Sequence, residues 1–287
     1  MSRWTAPNLA RYKAGPAGED GSTEERPPLV MVTAYDAPSA RVADAAGVDL
    51  ILVGDSLAMV VLGYDDTLQV SVADMAHHVA AVARAKPAPF VVGDLPWMAY
   101  HTSVVAAVEN AATLVRAGAQ SVKLEGGRKR RPMIEAIVDA EIPVMGHIGL
   151  TPQSTLAMGG FRVQGRDVDA ARALIDDAKA VADAGVFGLV LEGIPAPLAR
   201  RITAEVPVPT IGIGAGDGCD GQVLVYHDVL GLEDRVRPKF VRRYADMGKA
   251  SVEALQAFAG DVRGRRFPGP AETYTAGAEL ASALELY

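Results

Sequence analysis

Five apolar runs in this chain end on an ionisable side chain. Val53-Gly54 is followed by Asp55, Val92-Gly93 by Asp94, and Val122-Lys123-Leu124 by Glu125. Met145-Gly146 is followed by His147 and Val190-Leu191 by Glu192. Acids also serve as turn residues at strand ends, and any one of these positions could be read that way. Five in succession make a shared site the better reading. Lys123 and Glu125 lie two apart on one run and so face the same side of an extended strand. A lysine buried beside three acids is costly unless it is paired or used. Converging carboxylates repel one another, and a hard divalent cation relieves that repulsion. Oxygen-only donors suit Mg²⁺. Zinc is the poorer match, because no His-x-x-x-His or Cys-x-x-Cys spacing occurs and His77-His78 diverge on a helix. His147 is either a ligand or a hydrogen-bonding group.

Such residues need elements that bring their ends together. The apolar runs are Leu29–Tyr35, Leu50–Gly54, Phe90–Asp94, Ser121–Glu125, Pro143–His147, Gly188–Glu192 and Thr210–Gly214. Most are near-continuous in Val, Ile and Leu, as parallel strands covered on both sides are. Helical segments at Val72–Lys86, Val104–Ala117 and Asp167–Ala184 alternate with them, which indicates an α/β fold. Ala46-Gly47-Val48, Ala117-Gly118-Ala119 and Ala184-Gly185-Val186 each place glycine between a helix and the next strand, where it ends a helix in the left-handed conformation. Ser71 to Asp74 has the pattern of a helix start. The expected architecture is a single-domain (β/α)8 TIM barrel with all the chemistry on one face.

Closure is the difficult part. An eighth strand at Gln222–Tyr226 follows the seventh run by only a handful of residues, whereas a parallel crossover ordinarily takes about a dozen. Either that connection is degenerate, or Gln222–Leu230 is partly helical and the barrel closes differently. Residues 1–28, rich in Gly, Pro and charge, are expected to be a mobile lead-in, and residues 29–268 the catalytic barrel. Within the barrel, 239–260 is its closing helix. Residues 269–287 are expected to form a helical tail that touches another subunit.

Composition narrows the classes further. The chain has 287 residues, 49% hydrophobic and 22% charged, with a formal net charge of −7. That balance suits a substantial core and argues against a nucleic-acid partner, which needs a basic face. The run Arg128-Lys129-Arg130-Arg131 reads as a solvated helix start. A single cysteine, Cys219, allows no internal disulfide and fits a reducing, cytoplasmic setting. No apolar stretch has the length of a membrane span, and the N-terminal residues lack a signal-peptide apolar core. Gly212-Ile213-Gly214-Ala215-Gly216 is read as close packing or a substrate loop rather than a phosphate cradle, because no dinucleotide fingerprint surrounds it.

Longer strings carry a family resemblance. They are Val32-Thr33-Ala34-Tyr35-Asp36, Val53-Gly54-Asp55-Ser56-Leu57, Gly63-Tyr64-Asp65, Asp94-Leu95-Pro96, Val122-Lys123-Leu124-Glu125, Gly146 to Gln153, Gly165-Arg166, and Ile211 to Gly216 with Asp220-Gly221-Gln222. From about Pro28 to Pro268 the chain resembles the ketopantoate hydroxymethyltransferase family. It departs from that family at Ala58, where glycine is usual, and in its extended N-terminus.

The resemblance implies that Asp55, Asp94 and Glu125 hold one Mg²⁺ per subunit. It implies that Asp55, Ser56, Asp94 and Lys123 contact a 2-oxo acid and that Glu192 is the proton acceptor. His147 is expected beside the substrate, positioning the one-carbon donor or water. The implied reaction moves a hydroxymethyl group from 5,10-methylenetetrahydrofolate to 3-methyl-2-oxobutanoate, toward pantothenate and coenzyme A. The implied assembly is a homodecamer. Two other readings share parts of the pattern. A metal-dependent barrel lyase or mutase with an enolate intermediate would need a catalytic cysteine loop, for which Cys219 is the sole candidate. A non-catalytic barrel binding protein would have no need to keep Asp55, Asp94, Glu125, Lys123 and Glu192 together.

Overall fold

The computed structural model describes residues 4–12, 26–232 and 238–285. Eight parallel strands follow one another around a closed barrel. They are β1 (Leu29–Thr33), β2 (Leu50–Val53), β3 (Phe90–Asp94), β4 (Ser121–Glu125), β5 (Val144–Gly149), β6 (Gly188–Glu192), β7 (Thr210–Ile213) and β8 (Gly221–Leu224). Leu29 of β1 pairs with Gly221 of β8 and closes the ring.

The strands read as near-continuous apolar runs because both of their faces are covered. Their alternate side chains serve two separate cores. Ile51, Val53, Val91, Val122, Leu124, Val144, Leu189 and Leu191 point outward into a layer shared with the helices. Leu29, Met31, Leu50, Leu52, Phe90, Val92, Met145, Val190, Ile211 and Val223 form the other cluster, inside the barrel. Continuing the inward phase by two residues leads from Val92 to Asp94, from Met145 to His147 and from Val190 to Glu192. On β4 the same phase carries Ser121, Lys123 and Glu125. The pleat of β3, β4, β5 and β6 thus delivers their ionisable side chains to the barrel mouth.

The helices Val72–Arg84, Val104–Arg116 and Val168–Asp183 occupy the segments expected from the sequence. Ser71 and Asp74 cap the first of them reciprocally, each side chain accepting from the other's backbone N–H. Gly47, Gly118 and Gly185 all have positive φ, as the repeated helix stop requires. The basic run forms a 3₁₀ turn, Arg128–Arg130, leading into the helix Arg131–Asp139. Arg128 pairs there with half-buried Asp177, and Arg131 with exposed Glu135. Ala58 is fully buried in the short helix Leu57–Val60 and fits without a glycine.

The closing strand begins one residue earlier than expected, and Tyr226–Leu230 is helical. The barrel closes because the seventh crossover has no helix. Residues 214–220 return as a loop whose Asp220 accepts from the Thr210 N–H and whose carbonyl accepts from the Leu29 N–H. A side chain at Gly216 would run into Ala196, so glycine allows the loop to lie flat there. Ala215 and Cys219 join the outer core where a crossover helix would otherwise pack.

Of the lead-in expected over residues 1–28, residues 4–12 and 26–28 are described. The helix Ala6–Ala10 buries Leu9 to 1% exposure, in the same cluster as Leu29, Leu50 and Phe90. It plugs the barrel at the end opposite the ionisable strand ends, and Trp4 donates to Asp49 beside it. At the other terminus the helix Met247–Arg263 spans most of the expected closing segment. A 3₁₀ turn at Pro270–Glu272 and the helix Ala278–Ala283 follow it.

Candidate active site

At the C-terminal mouth the side chains named from the sequence meet in one cluster. Lys123 sits at its centre, 3% exposed. Its Nζ lies 2.8 Å from Asp94 Oδ1 and 3.6 Å from Glu125 Oε1. His147 reaches Glu125 Oε1 through Nδ1 at 3.4 Å and Glu192 Oε2 through Nε2 at 3.3 Å. Asp55 joins from the turn after β2, where its backbone N–H donates to Asp94 Oδ2 at 3.2 Å. Ser56 Oγ is 2.9 Å from the Tyr35 hydroxyl at the cluster's edge. His77 and His78 stand apart on their helix, with His78 Nδ1 2.6 Å from the Tyr35 carbonyl.

Burial sets the electrostatics. Asp55 is held well above the ordinary carboxylate range by desolvation, then by repulsion from Asp94 and Glu125. Asp94 is also raised by burial, although Lys123 partly offsets this. Burial pushes Glu125 up as well, but His147 and Lys123 outweigh it and hold this carboxyl below its usual value. For Lys123 burial pulls downward, and attraction to Asp94, Glu125 and Asp55 more than reverses it.

His147 Nδ1 has two competing neighbours. A lone pair there would accept from Lys123 at 3.3 Å, and a proton there would serve Glu125. Burial and Lys123 disfavour the imidazolium, but Glu125 and Glu192 prevail and raise its pKa to about 9. The imidazole thus stands between Glu125 and Glu192, within ion-pair distance of both. Glu192 differs from its neighbours in access, since its side chain is 14% exposed against 2% for Glu125 and 1% for Asp94.

Neighbouring elements fix these positions. At the end of β5 the chain turns at Gly149, φ +96°, where a side chain would collide with the Glu192 carbonyl. Leu150 N–H donates to that carbonyl at 2.8 Å, locking β5 to the end of β6. Two further residues belong to the site. Gln153 donates from Nε2 to Asp55 Oδ2 at 2.9 Å and from its backbone N–H to Glu125 Oε2 at 3.1 Å. Tyr100 donates to Gln153 Oε1 at 2.6 Å and accepts from the Glu125 N–H at 3.0 Å. Its phenol is kept protonated by burial, with the charge of Glu125 adding to the effect. Gln153 lies within a string quoted above but had no role assigned. Tyr100 carries no signal in the sequence, because its place depends on the path of the loop after β3.

The donor set fits a hard cation in its chemistry. Among the described residues the cations paired with Asp94, Glu125 and Glu192 are Lys123 and His147, and with Asp55 beside them this leaves an excess of negative charge that a proton on Asp55 or a bound cation would relieve. As the side chains stand, no three Asp, Glu, His or Cys among the described residues form a group that could hold an ion. Lys123 occupies the space between Asp94 and Glu125.

The comparison that decides the family is with the ketopantoate hydroxymethyltransferase model, which matches residues 20–270. The chain belongs to the ketopantoate hydroxymethyltransferase family. A 3-methyl-2-oxobutanoate hydroxymethyltransferase of Moorella thermoacetica is 56% identical over 268 residues, covering 93% of this chain and 96% of that protein. One from Ignicoccus hospitalis is 58% identical over 241 residues, covering 84% and 91%. Family membership makes this chain a transferase. Among solved structures, a phosphonopyruvate hydrolase in complex with oxalate and Mg²⁺ superposes with a TM-score of 0.60 at 13% identity, covering 99% of this chain and 95% of the other. A 2,3-dimethylmalate lyase superposes at 0.56 with 17% identity, covering 98% of each chain. At these identities the likeness concerns the barrel alone. Against the lyase or mutase reading, Cys219 lies buried in the outer core beside Gly212, on the helix-facing side of β7. No helix among the described residues is long and apolar enough to cross a membrane.

Proposed function

We propose that this hydroxymethyltransferase moves the one-carbon unit of 5,10-methylenetetrahydrofolate to 3-methyl-2-oxobutanoate, giving 2-dehydropantoate and tetrahydrofolate with consumption of one water. Asp55, Asp94 and Glu125 would hold Mg²⁺. When bound, the ion supplies Lewis acidity toward the keto and carboxylate oxygens of the substrate.

Glu192 removes the proton from C3 of the keto acid. Its partial exposure beside a buried charged cluster is the observation that carries this reading, because a base must reach substrate while its neighbours stay fixed. His147 orients the Glu192 carboxylate through Nε2 and contacts the bound substrate or the attacking water. Lys123 offsets negative charge as the enolate forms. Ser56, with Asp55 and Asp94, lines the keto-acid site. The enolate carbon attacks the methylene carbon of the folate with cleavage of one carbon–nitrogen bond, and water displaces the second nitrogen, which takes up a proton, releasing tetrahydrofolate and leaving the hydroxymethyl group. We place the reaction in the cytoplasm, in keeping with the single cysteine, and in a homodecamer, in keeping with the family resemblance.

Solvent deuterium exchange at C3 of 3-methyl-2-oxobutanoate tests the proposal. Exchange should occur with Mg²⁺, stop with EDTA, and couple to tetrahydrofolate release once methylenetetrahydrofolate is present. Absence of exchange under all of these conditions would remove both the base and the substrate from the assignment.

A further inference from the structure

The hydrogen bonds around Gln153 admit only one arrangement. The carbonyl of Leu95 accepts and cannot donate, so the Gln153 atom 2.9 Å from it must be the amide nitrogen. The second hydrogen of that nitrogen goes to Asp55 Oδ2 at 2.9 Å. The amide oxygen then faces Tyr100, 2.6 Å away. The Tyr100 oxygen already accepts the Glu125 N–H, and its single proton is left for Gln153 Oε1. The backbone N–H of Gln153 completes the circuit by donating to Glu125 Oε2 at 3.1 Å. Tyr100 is fully buried and Gln153 is 4% exposed, so water does not compete for these bonds.

We infer that Tyr100 and Gln153 are positioning residues that together set the side-chain orientation of Asp55 and of Glu125. Asp55 stands on the turn after β2 and Glu125 ends β4, with β3 between them. They share no direct bond, and the Gln153 residue spans the gap. Tyr100 acts one step behind, because without its proton the amide loses the partner that fixes which end faces Asp55. Neither residue needs to touch substrate. The inference rests on the reading that Asp55 and Glu125 hold Mg²⁺, and outer partners of metal ligands of this kind commonly tune affinity.

Calorimetric titration of the full chain with MgCl₂ tests it, alongside deuterium exchange at C3 as a function of Mg²⁺. Tyr100→Phe removes one oxygen and preserves shape. Gln153→Met keeps the length and removes the amide, and it provides a second route should either variant fold poorly by circular dichroism. Each should weaken Mg²⁺ binding by about tenfold or more. The double variant should be little worse than the more damaged single one, because both act through one circuit. Raised Mg²⁺ should restore the exchange rate, which a merely disordered site would not allow. Wild-type affinity in a folded Tyr100→Phe, or a loss that excess Mg²⁺ leaves unrestored, overturns the inference. Failure of the wild-type chain to bind Mg²⁺ overturns the metal reading itself, and the inference with it.

Discussion

The two ends of the barrel are built from the same strands and have opposite character. On β3, Phe90 lies at the plugged end against Phe187, ring centroids 5.7 Å apart, while Asp94 at the mouth pairs with Lys123. On β5, Met145 belongs to the apolar interior and His147, two residues on, touches two acids. The plugged end is apolar and sealed by the helix Ala6–Ala10. The mouth collects buried charges whose repulsion is only partly relieved within the protein. The plugged end gains stability from apolar burial, and the mouth gives up some of that gain to hold reactive groups at high local field. Stability and chemistry should therefore separate along the barrel axis.

The largest expected effect is at the mouth. Glu192→Gln should lower C3 exchange by about 10³-fold, within the usual range for loss of a general base, and leave the melting temperature near that of the wild type. Exchange rates and a thermal melt on one preparation check both halves. At the sealed end Phe90→Ala should destabilise the fold by about 3–5 kcal/mol through an interior cavity. Exchange per folded molecule should hold, as measured by denaturant unfolding beside the exchange assay. A large loss of exchange in folded protein would show that the two ends are coupled.

Leu9→Ala removes the most buried side chain of the plug helix and should cost roughly 2–3 kcal/mol by the same unfolding measurement. A negligible cost would mean that the plug contributes little to closure. The smallest effect belongs to the helix cap outside both layers. Ser71→Ala should cost about 1 kcal/mol. Hydrogen bonds from the Ser71 hydroxyl, then from its backbone N–H, hold the Asp74 carboxyl below its ordinary range. A carboxyl lowered in the folded state contributes stability above its unfolded pKa of about 4 and loses it as pH falls through the folded value. The Ser71→Ala penalty should accordingly shrink on acidification below about pH 4, which unfolding curves across that range would register.

Much of this division could be read in the sequence. The near-continuous runs gave the strands to within a residue or two, and the inward phase on β4 already placed Lys123 beneath Glu125. Asp55, Asp94, Glu125, His147 and Glu192 were legible because each ends an apolar run, a local pattern that the pleat translates directly into position for all but Asp55, which the turn after β2 brings in. Ser56 and the family were legible in longer strings. The plug helix was not, because its short, Gly- and Pro-flanked segment has no periodicity long enough to mark a packed element.

By itself, the sequence determined the α/β alternation, the helix stops at Gly47, Gly118 and Gly185, the family, and the set of ionisable strand ends. These depend on nearest neighbours and on periods of two and 3.6 residues, which a chain carries wherever it folds. Only the tertiary structure decided how the barrel closes without an eighth crossover helix, through Asp220 and the loop 214–220. It also decided that Tyr100 and Gln153, 53 positions apart, meet beneath Asp55 and Glu125. Those contacts join loops from different strands, and no local rule fixes the path of a loop until the whole barrel has set the distance it must span.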